Sequence, residues 1–183
     1  PVLCVSEDSA SVVPLLGGHH GANDLARIIA DSLQAHAAIT TAGDLRFGVA
    51  LDAPPKGYVL ANPEQAKAVM AELVAGASVR LEGQADWLIA SRLPFAADGK
   101  VTLTITDQPK TPAPLELVYH PKTLVLGMGC ERNASTEEAI ALAEQALQQS
   151  GFAAQSLAAI ASIDVKADET AIHAVATHFG VAA

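Results

Sequence analysis

Two glycine-rich turns stand where an apolar strand pattern passes into a helix pattern. The first covers residues 17–24 and the second covers residues 127–132. Glycines at such a turn let a ligand approach the backbone, and the following helix offers unpaired N–H groups and the positive end of its dipole. Both turns therefore predict a site for an anionic ligand, such as a phosphate or a polycarboxylate.

The first turn carries the side chains best suited to proton transfer. His19 and His20 are adjacent, and imidazole exchanges a proton near neutral pH, so either is a candidate catalytic base. The alternative is that one packs on the strand end while the other is solvated. No metal site is predicted, because two neighbouring residues seldom bind one ion and no third ligand is evident. The expected substrate contacts of this turn are Gly17, Gly18, Gly21 and Asn23.

The second turn is not a dinucleotide fingerprint, because the third glycine of that motif would fall at Arg132. Gly127 and Gly129 would still let a substrate lie against the backbone, and Arg132 could pair with a carboxylate. Cys130 has no histidine near it in sequence, so burial is favoured over a nucleophilic role.

A third cluster lies between a strand pattern and the last helix pattern. Lys166 could reach a substrate carboxylate, and Glu169 is a candidate catalytic residue that could act as a base or hold Lys166. The alternative is that Asp168 and Glu169 only cap the helix and that Lys166 is solvated.

The composition limits the partners of the protein. The chain has 183 residues, 50% of them hydrophobic, and a formal net charge of −9. Nucleic acids and anionic membranes need clustered Lys and Arg, so neither partner is expected. Cys4 and Cys130 form no disulfide framework, and no leader or spanning segment is seen, so a cytoplasmic location is expected. The chain begins with Pro1 and a core-strand pattern, which suggests a piece of something longer.

The hydrophobic pattern predicts an α/β protein with open sheets, βαβ units at both ends and a β-rich middle segment. At the amino end, residues 2–5 and 12–16 read as a hairpin or as two separate sheet strands. Asn23 or Asp24 is the expected N-cap of a helix, and residues 38–41 are expected to form the strand that closes the unit. Two to three small subdomains are expected. Their boundaries are 1–55 for an N-terminal α/β region, 56–120 for a β-rich region and 121–183 for a C-terminal α/β domain.

Turn and capping signals predict the helices and strands of the middle and the carboxyl end of the chain. A helix is expected from Asn62 to Gly76, and four short strand-like runs follow, of which residues 87–90 are one. Residues 110–114, with two prolines, look like a linker. Ser135 begins a capping box, residues 159–165 read as a strand, and Asp168 is the expected cap of the last helix.

Four runs in order resemble the conserved blocks of the cobalamin-biosynthesis G proteins. The runs are residues 14–27 (PLLGGHHGANDLAR) with 39–42 (ITTA), residues 62–64 (NPE), residues 124–130 (LVLGMGC) and residues 161–169 (ASIDVKADE). The resemblance spans nearly the whole chain. The second half is also similar to the small CobE proteins. The sequence of the first turn is similar to that of family members fused to a precorrin-3B methyltransferase.

The resemblance implies cobalt-precorrin-5A hydrolase activity, in which the ring A lactone of a cobalt tetrapyrrole is opened and acetaldehyde is released to give cobalt-precorrin-5B. Cobalt then enters only as part of the substrate, and no cofactor is expected. On this view His19 or His20 is the base, backbone N–H groups between Gly17 and Ala22 stabilise the oxyanion, and Arg132 and Lys166 hold substrate carboxylates.

Two other functions are left open by the sequence. One is a non-catalytic corrinoid-binding or carrier module that serves a fused or associated precorrin methyltransferase. The other is an unrelated α/β domain that binds phosphate or a nucleotide. A homodimer is compatible with each of these functions.

Overall fold

The structure is a computed structural model that describes residues 1–18, 21–39 and 46–183. Within these ranges the chain is a mixed α/β protein with three open sheets, as expected. The strands are β1 (Val2–Val5), β2 (Ser11–Leu16), β3 (His36–Ala37), β4 (Tyr58–Leu60), β5 (Val79–Glu82), β6 (Val101–Ile105), β7 (Glu116–Pro121), β8 (Leu124–Gly127) and β9 (Leu157–Ala161). The helices are α1 (Ala22–Leu33), α2 (Ala66–Val74), α3 (Asp86–Ile89), α4 (Thr136–Ser150) and α5 (Thr170–Phe179).

The chain forms two compact units. The first unit contains Pro1–Pro54, Pro63–Arg80 and Gln84–Val101, and the second contains Pro55–Asn62, Leu81–Gly83 and Thr102–Ala183. The boundaries expected at residues 55 and 120 stay a prediction. Among the described residues, no helix combines the length and apolar character that crossing a membrane requires.

The amino end contains the expected βαβ unit. Strand β1 pairs antiparallel with β2, and β2 pairs parallel with β3 after α1. Helix α1 begins one residue after Gly21, whose φ of 89° only glycine adopts readily, so the prediction of Asn23 or Asp24 as N-cap is wrong. Strand β3 begins two residues after Gln34, whose left-handed conformation ends α1. Of the residues expected as this strand, 38 and 39 lie beyond β3, and 40 and 41 lie outside the described residues.

The middle of the chain contains a four-stranded sheet in the order β4-β7-β6-β5. Residues 87–90 were expected to form a strand, but Asp86–Ile89 is a short helix with Leu88 fully buried. Strand propensity is weak beside such packing, and this explains the difference. Residues 110–114 are not a linker, because they belong to the connection between β6 and β7, which are neighbouring parallel strands.

A buried carboxylate joins the strands of this sheet. The Glu116 side chain is only 4% exposed, and its Oε1 lies 2.6 Å from Lys110 Nζ and accepts from the Thr104 hydroxyl. Its Oε2 accepts from the Ala113 amide at 2.8 Å, and Lys110 also reaches Glu82 at 3.0 Å. Glu116 therefore ties the end of the β6–β7 connection to strands β5 and β6.

The carboxyl end contains the second βαβ unit, because β8 and β9 are parallel and α4 lies between them in the chain. Ser135 caps α4 as expected, and its Oγ accepts from the Glu138 amide. Strand β9 ends at Ala161, earlier than expected, and a single 3-10 turn follows at Asp164–Lys166. Asp168 is not the cap of α5, because the chain enters the helix from Glu169.

A tight backbone approach at Gly99 gives the first testable prediction. A Cβ at this position would overlap the backbone of Val79 and Arg80 at the start of β5. We expect Gly99→Ala to lower the free energy of unfolding by about 2 kcal/mol, measured by urea denaturation. Gly129→Ala is the matched control, because a Cβ there meets nothing within 4 Å. Equal stability of the two variants would contradict the prediction.

Candidate functional site

The first glycine turn is held in a conformation that needs glycine. Gly17 and Gly21 have φ values of 77° and 89°, and the Ala22 amide donates to the Gly17 carbonyl at 3.0 Å. The Ala22 N–H is therefore already used and is a poor candidate for stabilising an oxyanion. His19 and His20 lie outside the described residues, so their role as bases stays a prediction.

A polar pocket lies beside this turn in the first unit. Its volume is about 330 Å³, and its lining residues include Gly18, Asn23, Asp24, Arg27 and Gly48. Asn23 is 4% exposed, and a Cβ on Gly18 would come within 3.1 Å of its Oδ1. Arg27 bonds to Asp24 at 2.8 Å. Two predicted contact residues, Gly18 and Asn23, thus line one pocket together with the positively charged side chain of Arg27.

The second glycine turn lines a separate pocket within the second unit. This pocket has a volume of about 390 Å³ and lies at the carboxyl ends of the parallel strands β8 and β9. Ligands of open α/β sheets bind at such strand ends. The lining residues are Gly127, Met128, Gly129, Cys130, Ala161, Ser162, Ile163 and Lys166.

Neither glycine of this pocket is required by the local packing. A Cβ on Gly127 or Gly129 would meet nothing within 4 Å, and neither residue has a positive φ. Glycine therefore leaves the backbone open at this point without being demanded by the fold. Cys130 is half-buried and packs against the core of the second unit.

Four charged side chains connect the second turn with the segment before α5. Arg132 donates to Asp168 Oδ1 at 2.5 Å and to the Val165 carbonyl at 2.6 Å. Lys166 Nζ lies 3.5 Å from Glu169 Oε2, and Arg132 lies 3.9 Å from the same oxygen. The Lys166 side chain is 15% exposed and that of Glu169 is 3% exposed. The predicted carboxylate-binding cations therefore already have acidic partners within the protein.

The contact between Arg132 and Asp168 shifts the pKa of each group in the direction that keeps it charged. The hydrogen bond from Arg132, the largest cause, holds the pKa of the Asp168 carboxyl below its ordinary value. The hydrogen bond to Asp168 raises the pKa of Arg132 further. Both side chains stay ionised across the neutral range, so this contact persists there.

Sequence reasoning found part of this site, including the contact of Glu169 with Lys166, and missed the pairing of Arg132 with Asp168. Gly127, Gly129 and Lys166 come together at one pocket, and Arg132 and Glu169 lie in the charge cluster beside it. The contribution of Ser162 and Ile163 was missed, although their place just after a strand was a usable signal. Within residues 1–18, 21–39 and 46–183, no group of three His, Cys, Asp or Glu side chains is arranged to hold a metal ion.

Comparison with known proteins yields two family models. Residues 1–44 match the model described as cobalamin synthesis G N-terminal, and residues 124–183 match the model described as cobalamin synthesis G C-terminus. A cobalt-precorrin-5A hydrolase from Priestia megaterium is 30% identical over 203 residues, which cover 98% of this chain and 54% of that protein. Protein CobE from Sinorhizobium sp is 55% identical over 60 residues, which cover 33% of this chain and 39% of that protein.

The chain is also similar, at low identity, to a solved structure. It is the crystal structure of a cobalamin biosynthesis protein G homologue from Sulfolobus solfataricus, with 23% identity, a TM-score of 0.33, and coverage of 98% of this chain and 54% of that chain. The chain thus spans about half the length of the hydrolase it matches. The two family models match the two ends of the chain, where the two βαβ units lie. Each matched region contains one of the glycine turns. The chain belongs to the cobalamin synthesis G family.

Proposed function

We propose that the protein acts in cobalamin biosynthesis and hydrolyses the ring A lactone of cobalt-precorrin-5A. The observation that carries this proposal is the 30% identity to a cobalt-precorrin-5A hydrolase over 98% of the chain. The proposed products are acetaldehyde and cobalt-precorrin-5B, and cobalt enters only within the substrate. The proposed location is the cytoplasm, where Cys4 and Cys130 would stay unpaired.

The pockets at the two turns support the proposal chemically. Lactone opening needs an activated water, donors for the carbonyl oxygen and groups that hold a substrate edged with carboxylates. Lys166 lines the pocket of the second turn, and a charge-assisted hydrogen bond from its ammonium would hold one such carboxylate. Gly127 and Gly129 leave room for the edge of a macrocycle against the backbone.

Proton transfer is assigned to the first turn. His19 or His20 would remove a proton from the attacking water, and backbone N–H groups of the turn other than that of Ala22 would stabilise the oxyanion. Gly17, Gly18, Gly21 and Asn23 would place the substrate there. Arg132 would contribute to carboxylate binding only if the substrate competes with Asp168 for its guanidinium.

Incubation of the protein with cobalt-precorrin-5A tests the proposal. We expect acetaldehyde to appear in proportion to the enzyme, together with cobalt-precorrin-5B identified by mass spectrometry. A changed absorption spectrum without acetaldehyde would contradict hydrolysis and favour a binding or carrier module for a methyltransferase. Failure of the tetrapyrrole to bind, with inorganic phosphate or a nucleotide binding instead, would contradict any role with corrinoids.

A glycine substitution tests whether the pocket of the second turn is used. We expect Gly129→Ala to weaken substrate binding about tenfold, because a methyl group would fill open space where the backbone meets the ligand. Its thermal midpoint should equal that of the wild type. Unchanged binding would show that the substrate lies elsewhere, and a lowered midpoint would show that the fold needs this glycine.

A further inference from the structure

Glu169 is a buried carboxylate that faces donors from two different segments. It stands directly before α5 and is 3% exposed. Its Oε1 accepts from the Asn133 backbone amide at 3.2 Å, and its Oε2 lies 3.5 Å from Lys166 Nζ and 3.9 Å from Arg132 Nη1. Each carboxylate oxygen therefore already has a partner within the protein.

The partners of Glu169 belong to the two segments that form the pocket of the second turn. Arg132 is the last residue of the second glycine turn and Asn133 follows it, while Lys166 belongs to the segment between β9 and α5. A buried charge is retained only where it is paired and hydrogen-bonded, so the carboxylate holds these two segments at a fixed separation. Arg132 reinforces the same connection through Asp168 and the Val165 carbonyl.

We propose that Glu169 is a positioning residue that fixes the side chain of Lys166 and the backbone of Asn133. In this position the ammonium group of Lys166 faces a ligand carboxylate in the pocket. Glu169 does not itself exchange a proton with the substrate. Lys166 lines the pocket, and Glu169 acts through it. The identity of the ligand rests on the proposed function, whereas the positioning role rests on contacts within the protein.

Two variants separate the two contacts of Glu169. Glu169→Gln keeps an oxygen that accepts from the Asn133 amide but removes the charge that faces Lys166. Glu169→Ala removes both contacts. Glu144→Gln is the matched control, because Glu144 also has a basic partner, His178 at 2.9 Å, but is 57% exposed on α4.

Two measurements that need no substrate report on these contacts. Hydrogen exchange of the Asn133 amide should be slow in the wild type and in Glu169→Gln, and about tenfold faster in Glu169→Ala. Acetylation of Lys166 by acetic anhydride, measured by mass spectrometry against exposed Lys56, should be severalfold faster in both Glu169 variants. Both readouts should be unchanged in Glu144→Gln. Since Glu169→Ala removes a buried group, Glu169→Gln keeps the test valid if the alanine variant does not fold.

Binding of an octacarboxylate porphyrin, uroporphyrin, connects the positioning role with the pocket. We expect Glu169→Gln to weaken this binding severalfold, because Lys166 is no longer held in place. The same variant should show the faster acetylation of Lys166. Wild-type acetylation of Lys166 in Glu169→Gln would overturn the proposal. A loss of turnover of 100-fold or more in Glu169→Gln, with both readouts unchanged, would also overturn it and make Glu169 a catalytic residue. Absence of any turnover in the wild type would count against the proposed function alone.

Discussion

Replacement of the catalytic histidine by alanine is expected to lower the turnover of cobalt-precorrin-5A about 100-fold or more. A positioned general base contributes at least about this factor, because the attacking water must lose a proton as it adds to the lactone carbonyl. His19→Ala and His20→Ala should be measured singly, by acetaldehyde release under saturating substrate. One of the two variants should show the full loss, since a single general base is enough to accept the proton of the water.

The control for this experiment is His36→Ala, which removes an exposed histidine at β3 of the same compact unit. Its turnover should stay within twofold of the wild type, as expected for an exposed position away from chemistry. Thermal midpoints should show that all three variants are folded. A loss of only a few fold in both His19→Ala and His20→Ala would refute the assignment of the base to this turn.

The second large effect is expected at the buried carboxylate of the four-stranded sheet. Glu116→Ala removes the acceptor of the Ala113 amide and leaves Lys110 with Glu82 and Thr104. The Thr104 hydroxyl keeps only its longer contact with Glu82, at 3.4 Å. Removing one partner of a fully buried ion pair typically costs about 3–5 kcal/mol. The Lys110 side chain is 32% exposed and keeps Glu82, so the expected cost is that of the lost hydrogen bonds to Glu116, about 1–3 kcal/mol. We expect a loss of this size in the free energy of unfolding, measured by urea denaturation with an unchanged slope.

The same carboxylate makes stability depend on pH. Burial alone would raise the pKa of Glu116, but hydrogen bonds from the Ala113 amide, Lys110 and Thr104 outweigh burial and hold it below its ordinary value of 4.5. The unfolded chain therefore binds a proton first as the pH falls. The contribution of Glu116 is complete well above pH 4.5 and is lost as the pH falls through the lower pKa of the folded state.

Two variants test this pH dependence. Glu116→Gln should flatten the decline of stability below pH 4.5, the ordinary pKa of this carboxyl, because the titrating group is gone. Glu72→Ala is the control, since Glu72 pairs with Lys100 at 2.6 Å with both side chains more exposed. Its cost should stay below about 1 kcal/mol. A similar loss for Glu72→Ala and Glu116→Ala would show that burial of the Glu116 pair is unimportant.

The sequence pattern was sufficient for the features that depend on near neighbours. The βαβ units at both ends follow from hydrophobic periodicity and glycine placement. The cap at Ser135 follows from a capping signal four residues long. The errors lie at element boundaries and in short elements. Asp86–Ile89 was expected as a strand, and β9 ends before the predicted residues 162–165. Local propensities differ there by less than the energy of burying one side chain such as Leu88.

The sequence by itself determined the fold class, the family and the two turns at which a ligand is proposed to bind. Only the tertiary structure decided which charges meet: Arg132 with Asp168 over 36 positions of chain, and Lys110 with Glu82 over 28. Glu169 stands at the start of α5 and contacts Lys166, as two of the expectations had it. Only the structure showed that its carboxylate is buried and also accepts from the Asn133 amide, 36 positions away. The physical reason is that an ion pair between distant segments has no local sequence pattern. Its partners are chosen by packing, which brings distant segments together and removes the water that would otherwise solvate each charge.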